Sequence, residues 1–241
     1  MVPVSFASDM QSALAFGFAG EELRLAGQRA LFWPRESALI VADLHLEKAS
    51  SFARHGQMLP PYDSRATLER LAEAIRLTGA RRVFCLGDNF HDAGGEARLG
   101  PHDAGLLAGL TRATDWVWIT GNHDEKDADH VPASPGGLTV PEIAVGRFIL
   151  RHHARPGETR PELSGHFHPK LSVPVRGKRV VRPCTLASET RLILPAFGAF
   201  TGGMHAADPA IVRAMQPARA IDAVIAAGDR LVRFPVWRAA A

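Results

Sequence analysis

Cysteine is nearly absent from this 241-residue chain. Cys85 and Cys184 are the only two, too few for a disulfide framework or a thiolate zinc site. Cys85 lies in the apolar run RRVFCLGD, where it reads as a buried thiol. Also missing is any uninterrupted apolar run near the roughly 20 residues that a membrane span needs. The stretch MVPVSFASDMQSALAFGFAG at the amino end is fairly apolar, but it lacks a basic start, and Asp9 falls where a signal peptide has its apolar centre. A mature, soluble, cytoplasmic protein is expected. Charge of one sign is in short supply too: 28 Lys and Arg against 25 Asp and Glu leave +3, with no basic tail or dense Lys/Arg block of the kind that announces a nucleic-acid binder. The pI near 9.2 permits a phosphate-bearing partner without requiring one. Repeats, low-complexity segments and a clear linker are lacking as well. With 46% hydrophobic residues the chain is expected to form a single domain over 1–241, with 205–241 as a C-terminal helix and strand packed on it.

What is present first is an alternation of strand and helix. SALIVADLH (Ser37 to His45), RRVFCLGD (Arg81 to Asp88) and DWVWITGN (Asp115 to Asn122) are short apolar runs that end in polar residues or glycine, and they predict buried strands with polar groups at their carboxyl ends. Between the first two, DSRATLERLAEAIRLTG spaces Leu68, Leu71, Ala72 and Ile75 as an amphipathic helix, with Asp63 as N-cap and Gly79 at its end. PHDAGLLAGLTRA, opening on Pro101, predicts a second helix. The alternation implies an at least partly parallel sheet. After Asn122 the pattern becomes that of hairpins, in AVGRFILRH and in KLSVPVRGKRVVRPCTLASETRLILPA with its breaks at RGK and SET; EELRLAGQRALFW near the start is similar. Two sheets packed face to face, with helices outside, accommodate both patterns. The segment DPAIVRAMQPARAIDAVIAAGDRLVRFPVW reads as helix, interrupted near Pro217, followed by a final strand.

Five polar clusters fall at these strand ends, where open α/β sheets bind ligands. In DLH, Asp43 and His45 are two apart and leave an extended backbone on one face. Asp88 follows Gly87 in GDNFHD. GNHD offers the amide oxygen of Asn122, a proton-exchanging His123, and Asp124 to orient it. LRHH runs a strand out into His152 and His153. In GHFHP, extended geometry turns His166 and His168 one way and Phe167 the other. Taken singly, each cluster serves as a cap, turn or surface pair as readily as a ligand set. Together they supply carboxylate, amide and imidazole without thiolate, which suits Mn²⁺ or Fe, with Zn²⁺ also compatible.

These five blocks resemble the signature of the calcineurin-like metallophosphoesterases. VADLHLEKASSFARHGQMLPPYDSRATL, CLGDNFHD, WVWITGNHD, SGHFHP and LPAFGAFTGG are similar to the bacterial ligase-associated DNA-damage-response endonuclease branch, over roughly residues 20 to 210. The resemblance implies a four-layer αββα sandwich of two mixed β-sheets, and two divalent metals, most often Mn. Asp43, His45, Asp88 and His168 would hold one metal and Asp88, Asn122, His152 and His166 the other, with Asp88 bridging. It further implies a metal-activated hydroxide attacking a phosphodiester, with His123 near the scissile phosphate and Asp124 holding it. The implied substrate is DNA, single-stranded in one version of the reading, in functional association with a DNA ligase and helicase. His153 departs from the branch, which has an acidic residue there. His55, His91, His102, His130 and His205 are expected to be surface, loop or supporting residues, with His91 the foremost exception. Lys48, Arg54, Arg65 and Lys170 lie in or beside the family-like blocks, either to meet a phosphate backbone or as solvated charges. Two alternatives stay open. A hydrolase of small phosphodiesters, nucleotide pyrophosphates or phosphomonoesters would use the same centre. A non-catalytic protein-binding scaffold would be expected to lose ligand positions, and here all are filled.

Overall fold

A computed structural model describes residues 13–124, 136–175 and 177–240. Among them, β1 (Ala13–Phe18), β2 (Glu21–Ala26), β3 (Ala30–Trp33) and β4 (Ala38–Val41) pair antiparallel in turn. β4, β5 (Arg82–Leu86), β6 (Asp115–Ile119) and β7 (Leu138–Val140) then pair in parallel, completing a mixed seven-stranded sheet in chain order. A second seven-stranded sheet is built from β8 (Glu142–Val145), β9 (Phe148–Arg151), β10 (Glu162–Ser164), β13 (Thr185–Ala187), β14 (Arg191–Ile193), β15 (Ala220–Ala227) and β16 (Arg230–Arg238). In it β9, β10 and β14 run parallel and the other pairings are antiparallel. β11 (Lys170–Val175) and β12 (Lys178–Pro183) form a separate hairpin. The helices are α1 (Lys48–Arg54), α2 (Asp63–Thr78), α3 (Gly95–Arg98), α4 (Pro101–Ala113) and α5 (Pro209–Ala214). No helix among the described residues is long and apolar enough to cross a membrane.

The predicted parallel strands are apolar and buried past the Arg82 and Asp115 that open β5 and β6, because both of their faces are covered. Ile40 and Phe84 point into the space between the sheets, where they meet Leu150, Leu163 and Leu192. Their neighbours Leu39, Val41, Val83 and Cys85 point outward, onto Leu68 and Leu71 of α2 and Leu107 of α4. The second sheet turns Leu186, Ile193 and Ile221 outward onto Ile211 of α5 and Met215. Two sheets between helical layers result, as the sequence predicts, although the outer layer on the second sheet is thin. Cys85 and Cys184 are both buried free thiols.

Two sequence expectations need correction. Asp63 is the first residue of α2, with Tyr62 at the cap, and its carboxylate accepts the Ala49 N–H at 3.0 Å instead of capping its own helix. Residues 205–241 were expected to hold a helix and one strand, yet the helix is confined to Pro209–Ala214, and Ala220–Ala227 is a strand paired with Arg230–Arg238. The alanines of this segment suit a helix, but Pro217 stops it, β-branched Ile221, Val224 and Ile225 favour the sheet, and Gly228 at φ 64° closes a two-residue turn.

Phe148, fully buried between the sheets, stacks on Phe18 with centroids 5.6 Å apart and tilts against Trp33 at 4.8 Å. Phe148→Ala is expected to lower the unfolding free energy by about 3–5 kcal/mol, read as an earlier urea midpoint at unchanged slope. A loss under about 1 kcal/mol, typical of a surface change, would contradict this packing.

Candidate metal centre

All five clusters stand immediately past strand carboxyl ends: β4 for Asp43 and His45, β5 for Asp88, β6 for Asn122 and His123, β9 for His152 and β10 for His166 and His168. β4, β5 and β6 are mutually parallel, as are β9 and β10, so each sheet delivers its polar residues to one rim. The local geometry is not the extended one expected. Asp43 (φ 54°), His45 (φ 45°), Asp88 (φ 48°), His166 (φ 72°) and His168 (φ 48°) all occupy the left-handed region, so side-chain direction there is not set by strand alternation. Neighbouring loops hold this backbone: Asp43 N–H donates to Gly87 O at 3.2 Å, His45 N–H to Asp88 O at 2.9 Å, and Gly165 N–H to His152 O at 2.9 Å. Close approach demands glycine at several points of this rim. A Cβ on Gly121 would collide with the backbone nitrogen and Oδ1 of Asp88, and one on Gly165 would lie 2.6 Å from Asp43 Oδ2.

Three candidate ligand clusters emerge among the described residues, His45 with His91 and His123 being one, and the other two share Asp88. Donor atoms of Asp43, His45, Asp88 and His168 lie within 4.8 Å of one another, as do those of Asp88, His152 and His166. His45 Nε2 and His168 Nε2 are 3.2 Å apart, and His168 Nε2 is 3.4 Å from Asp43 Oδ1. On the other side His152 Nε2 faces Asn122 Oδ1 at 3.1 Å, His166 Nδ1 at 3.0 Å and Asp88 Oδ1 at 3.4 Å. His152 Nδ1 lies 2.9 Å from Leu86 O and donates to it, which turns Nε2 inward. Burial, reinforced by His168, pushes His45 down to about 2, and burial with His152 pushes His166 down to about 4. Both imidazoles are therefore neutral near pH 7. His45 Nδ1 is buried without a hydrogen-bond partner among the described residues. Buried carboxylates, an amide oxygen and neutral imidazoles converging on two points form a donor set that fits divalent cations.

His123 and Asp124 divide their work differently from the sequence reading. The Asp124 carboxylate does not orient the imidazole. It accepts from Gly121 N (2.8 Å), Asn89 N (3.0 Å), Asn89 Nδ2 (3.0 Å) and Phe90 N (3.3 Å), pinning the loop after β6 to the loop after β5. Burial pushes this carboxyl up to about 6, against these donors, which favour its ionised form. His123 is oriented instead by the carbonyl of His91, 2.7 Å from its Nδ1, while its Nε2 lies 3.9 Å from Asp88 Oδ2. The anchoring role of Asn89 was not read from GDNFHD; an amide between a candidate ligand aspartate and an aromatic was the signal available.

The other singled-out residues sort by position. His153 is exposed, with its ring 4.4 Å from that of His166, and it lines a cavity of about 370 Å³ together with Asn122, His152, His166 and Arg155. His91 stands beside His45 and His123, with centroids 5.5 and 5.2 Å away. The His55 and His102 rings contact Ser51 O and Asp103, His205 accepts from Ala207 N and forms a β-bridge with Lys170, and His130 lies outside the described residues. Arg54 and Arg65 are exposed, whereas Lys48 and Lys170 are half-buried.

The lowered histidines carry a pH signature. Below the ordinary value of 6.5 the unfolded chain takes up protons that the folded chain refuses until about 4 at His166 and about 2 at His45. Stability held above pH 6.5 is thus lost progressively as pH falls through this window. In chelator, the melting temperature of the metal-free protein is expected to drop between pH 6.5 and 4.5, and His166→Gln is expected to flatten that slope; an unchanged slope in the variant would contradict it.

A family model for calcineurin-like phosphoesterases matches residues 37–175. Among solved structures, the Pseudomonas putida nuclease MPE is 30% identical with a TM-score of 0.69, covering 92% of this chain and 100% of that one. Yfce, a phosphoesterase from E. coli, is 14% identical with a TM-score of 0.38, covering 83% of this chain and 98% of that one. No curated protein matches. Residues 37–175 run across every strand end described above, and the chain belongs to the calcineurin-like phosphoesterase family, as a metal-dependent phosphoesterase.

Proposed function

We propose that this chain is a binuclear, Mn²⁺-dependent phosphodiesterase that nicks DNA in repair, in the cytoplasm and in functional association with a DNA ligase and helicase. The observation that carries the reading is Asp88, one buried carboxylate common to two converging donor sets. The 30% identity to a nuclease supports a nucleic acid as the substrate, and the small net charge of +3 favours a single strand over a long duplex.

Asp43, His45, Asp88 and His168 would hold one ion and Asp88, Asn122, His152 and His166 the other. When bound, the ions supply a hydroxide nucleophile at neutral pH and positive charge for the phosphoryl oxygens. The chain does the positioning. The His91 carbonyl keeps a proton on His123 Nδ1, so that Nε2 faces the centre and, when protonated, donates to the leaving oxygen. Asp124 keeps the two loops that carry Asp88 and Asn122 in register.

His123→Ala is expected to retain bound metal and lose about two to four orders of magnitude in turnover, whereas Asp88→Ala loses metal and turnover together. Metal content and hydrolysis of a bis-aryl phosphate, a mono-aryl phosphate, and single- and double-stranded DNA with Mn²⁺ check both. Undiminished diester hydrolysis by His123→Ala would sink its assignment, and hydrolysis of monoesters alone would favour the small-substrate alternative.

A further inference from the structure

We propose that the exposed rings of Tyr62 and Phe200, bordered by Lys48, Lys170, Arg29 and Arg70, form a platform on which the bases of a single-stranded nucleic acid stack beside the metal centre. The proposal rests on the nuclease reading and assigns the surface that would hold its substrate.

The loop that follows β14 is tied to the centre by its backbone: Phe197 N–H donates to Ala42 O at 2.7 Å and Gly198 N–H to Asp43 O at 3.1 Å. Two residues on, Phe200 adopts φ 55°, a conformation that a bulky side chain takes only under constraint. That strain is not offset by burial of the ring, because Phe200 is 44% exposed. Its ring meets that of Tyr62, 55% exposed, edge to face with centroids 5.6 Å apart, so both residues stay substantially open to solvent.

Cations converge on the carbonyls of the same loop. Arg29 donates to Ala196 O (2.7 Å) and Gly198 O (3.3 Å), Arg70 to Phe197 O (2.7 Å), Lys48 to Phe200 O (3.2 Å) and Lys170 to Thr201 O (3.1 Å). Arg29 and Lys48 act on Lys170 as like charges. A chain of net charge +3 thus gathers four cations on the carbonyls of the loop that carries Phe200, with Lys48 also facing the Asp63 carboxylate. Phosphates would relieve that repulsion while bases cover the rings, the combination that single-strand binders use. An apolar protein partner would cover the rings only by desolvating the cations.

The test is fluorescence anisotropy of a labelled oligothymidylate with the full chain in EDTA, so that binding is read without cleavage, alongside a duplex of the same length. The wild type is expected to prefer the single strand. Tyr62→Ala and Phe200→Gly are each expected to weaken it about tenfold, within the range of one lost base stack, with unchanged dependence on salt. Phe200→Gly relieves the left-handed strain and is expected to melt no lower than wild type, so its loss of affinity is not a folding defect. Affinities within twofold of wild type in both variants would overturn the platform, as would an equal preference for duplex. A wild type that hydrolyses a bis-aryl phosphate with Mn²⁺ but does not bind the oligonucleotide overturns the platform and leaves the phosphodiesterase reading intact. Binding without any hydrolysis supports the platform and overturns the nuclease reading.

Discussion

Asp43 and Asp88 place two carboxylates beneath the surface with imidazole nitrogens and an amide oxygen facing them, and this concentration of lone pairs constrains the rest of the molecule. Uncompensated, buried negative charge of this kind is costly. Among the described residues no lysine or arginine pairs with either carboxylate; the histidines that surround them include two held neutral by burial, His45 and His166. Such an arrangement is favourable chiefly when cations complete it. The layered fold serves the same end, since parallel strands in each sheet bring their carboxyl ends to a common rim while an apolar core between the sheets fixes the distance across it.

The backbone at that rim is strained in a consistent way. Five of the candidate ligands sit in the left-handed region, at about 1–2 kcal/mol each relative to ordinary conformations. Asp and His tolerate this region better than β-branched residues do. The strain is held by hydrogen bonds between loops of different strands, such as His45 to Asp88 O and the Asp124 clamp on Asn89 and Gly121. Side chains fixed by such a scaffold reach reactive geometry before a substrate arrives, which is how a polar site achieves electrostatic preorganisation.

Much of this was legible in the sequence, for identifiable reasons. β4, β5 and β6 announced themselves because strands buried on both faces are apolar along their covered length, and the polar residues at their carboxyl ends could only lie at the rim. α2 and α4 followed from spacing and from Gly79 and Pro101. The assignment of Asp124 misled because adjacency to His123 suggested contact, whereas the turn of the GNHD loop sends the carboxylate back to the loop after β5. Same-face presentation of Asp43 with His45 assumed a strand that ends at Val41. Ala220–Ala227 looked helical because alanine content is a local signal, while its fate was set by pairing with β16 and β13. The Phe200 loop entered the sequence reading only as the family-like block LPAFGAFTGG, because its contacts with the backbone of Ala42 and Asp43 are long-range.

The claim at the centre of this account is that one carboxylate, Asp88, joins two ions. Titrating Mn²⁺ into the metal-free protein and following it by electron paramagnetic resonance tests this directly. Two ions per chain with an exchange-coupled spectrum, lost in Asp88→Asn, is the predicted result; a single ion per chain, or two that give only isolated Mn²⁺ signals, would contradict it.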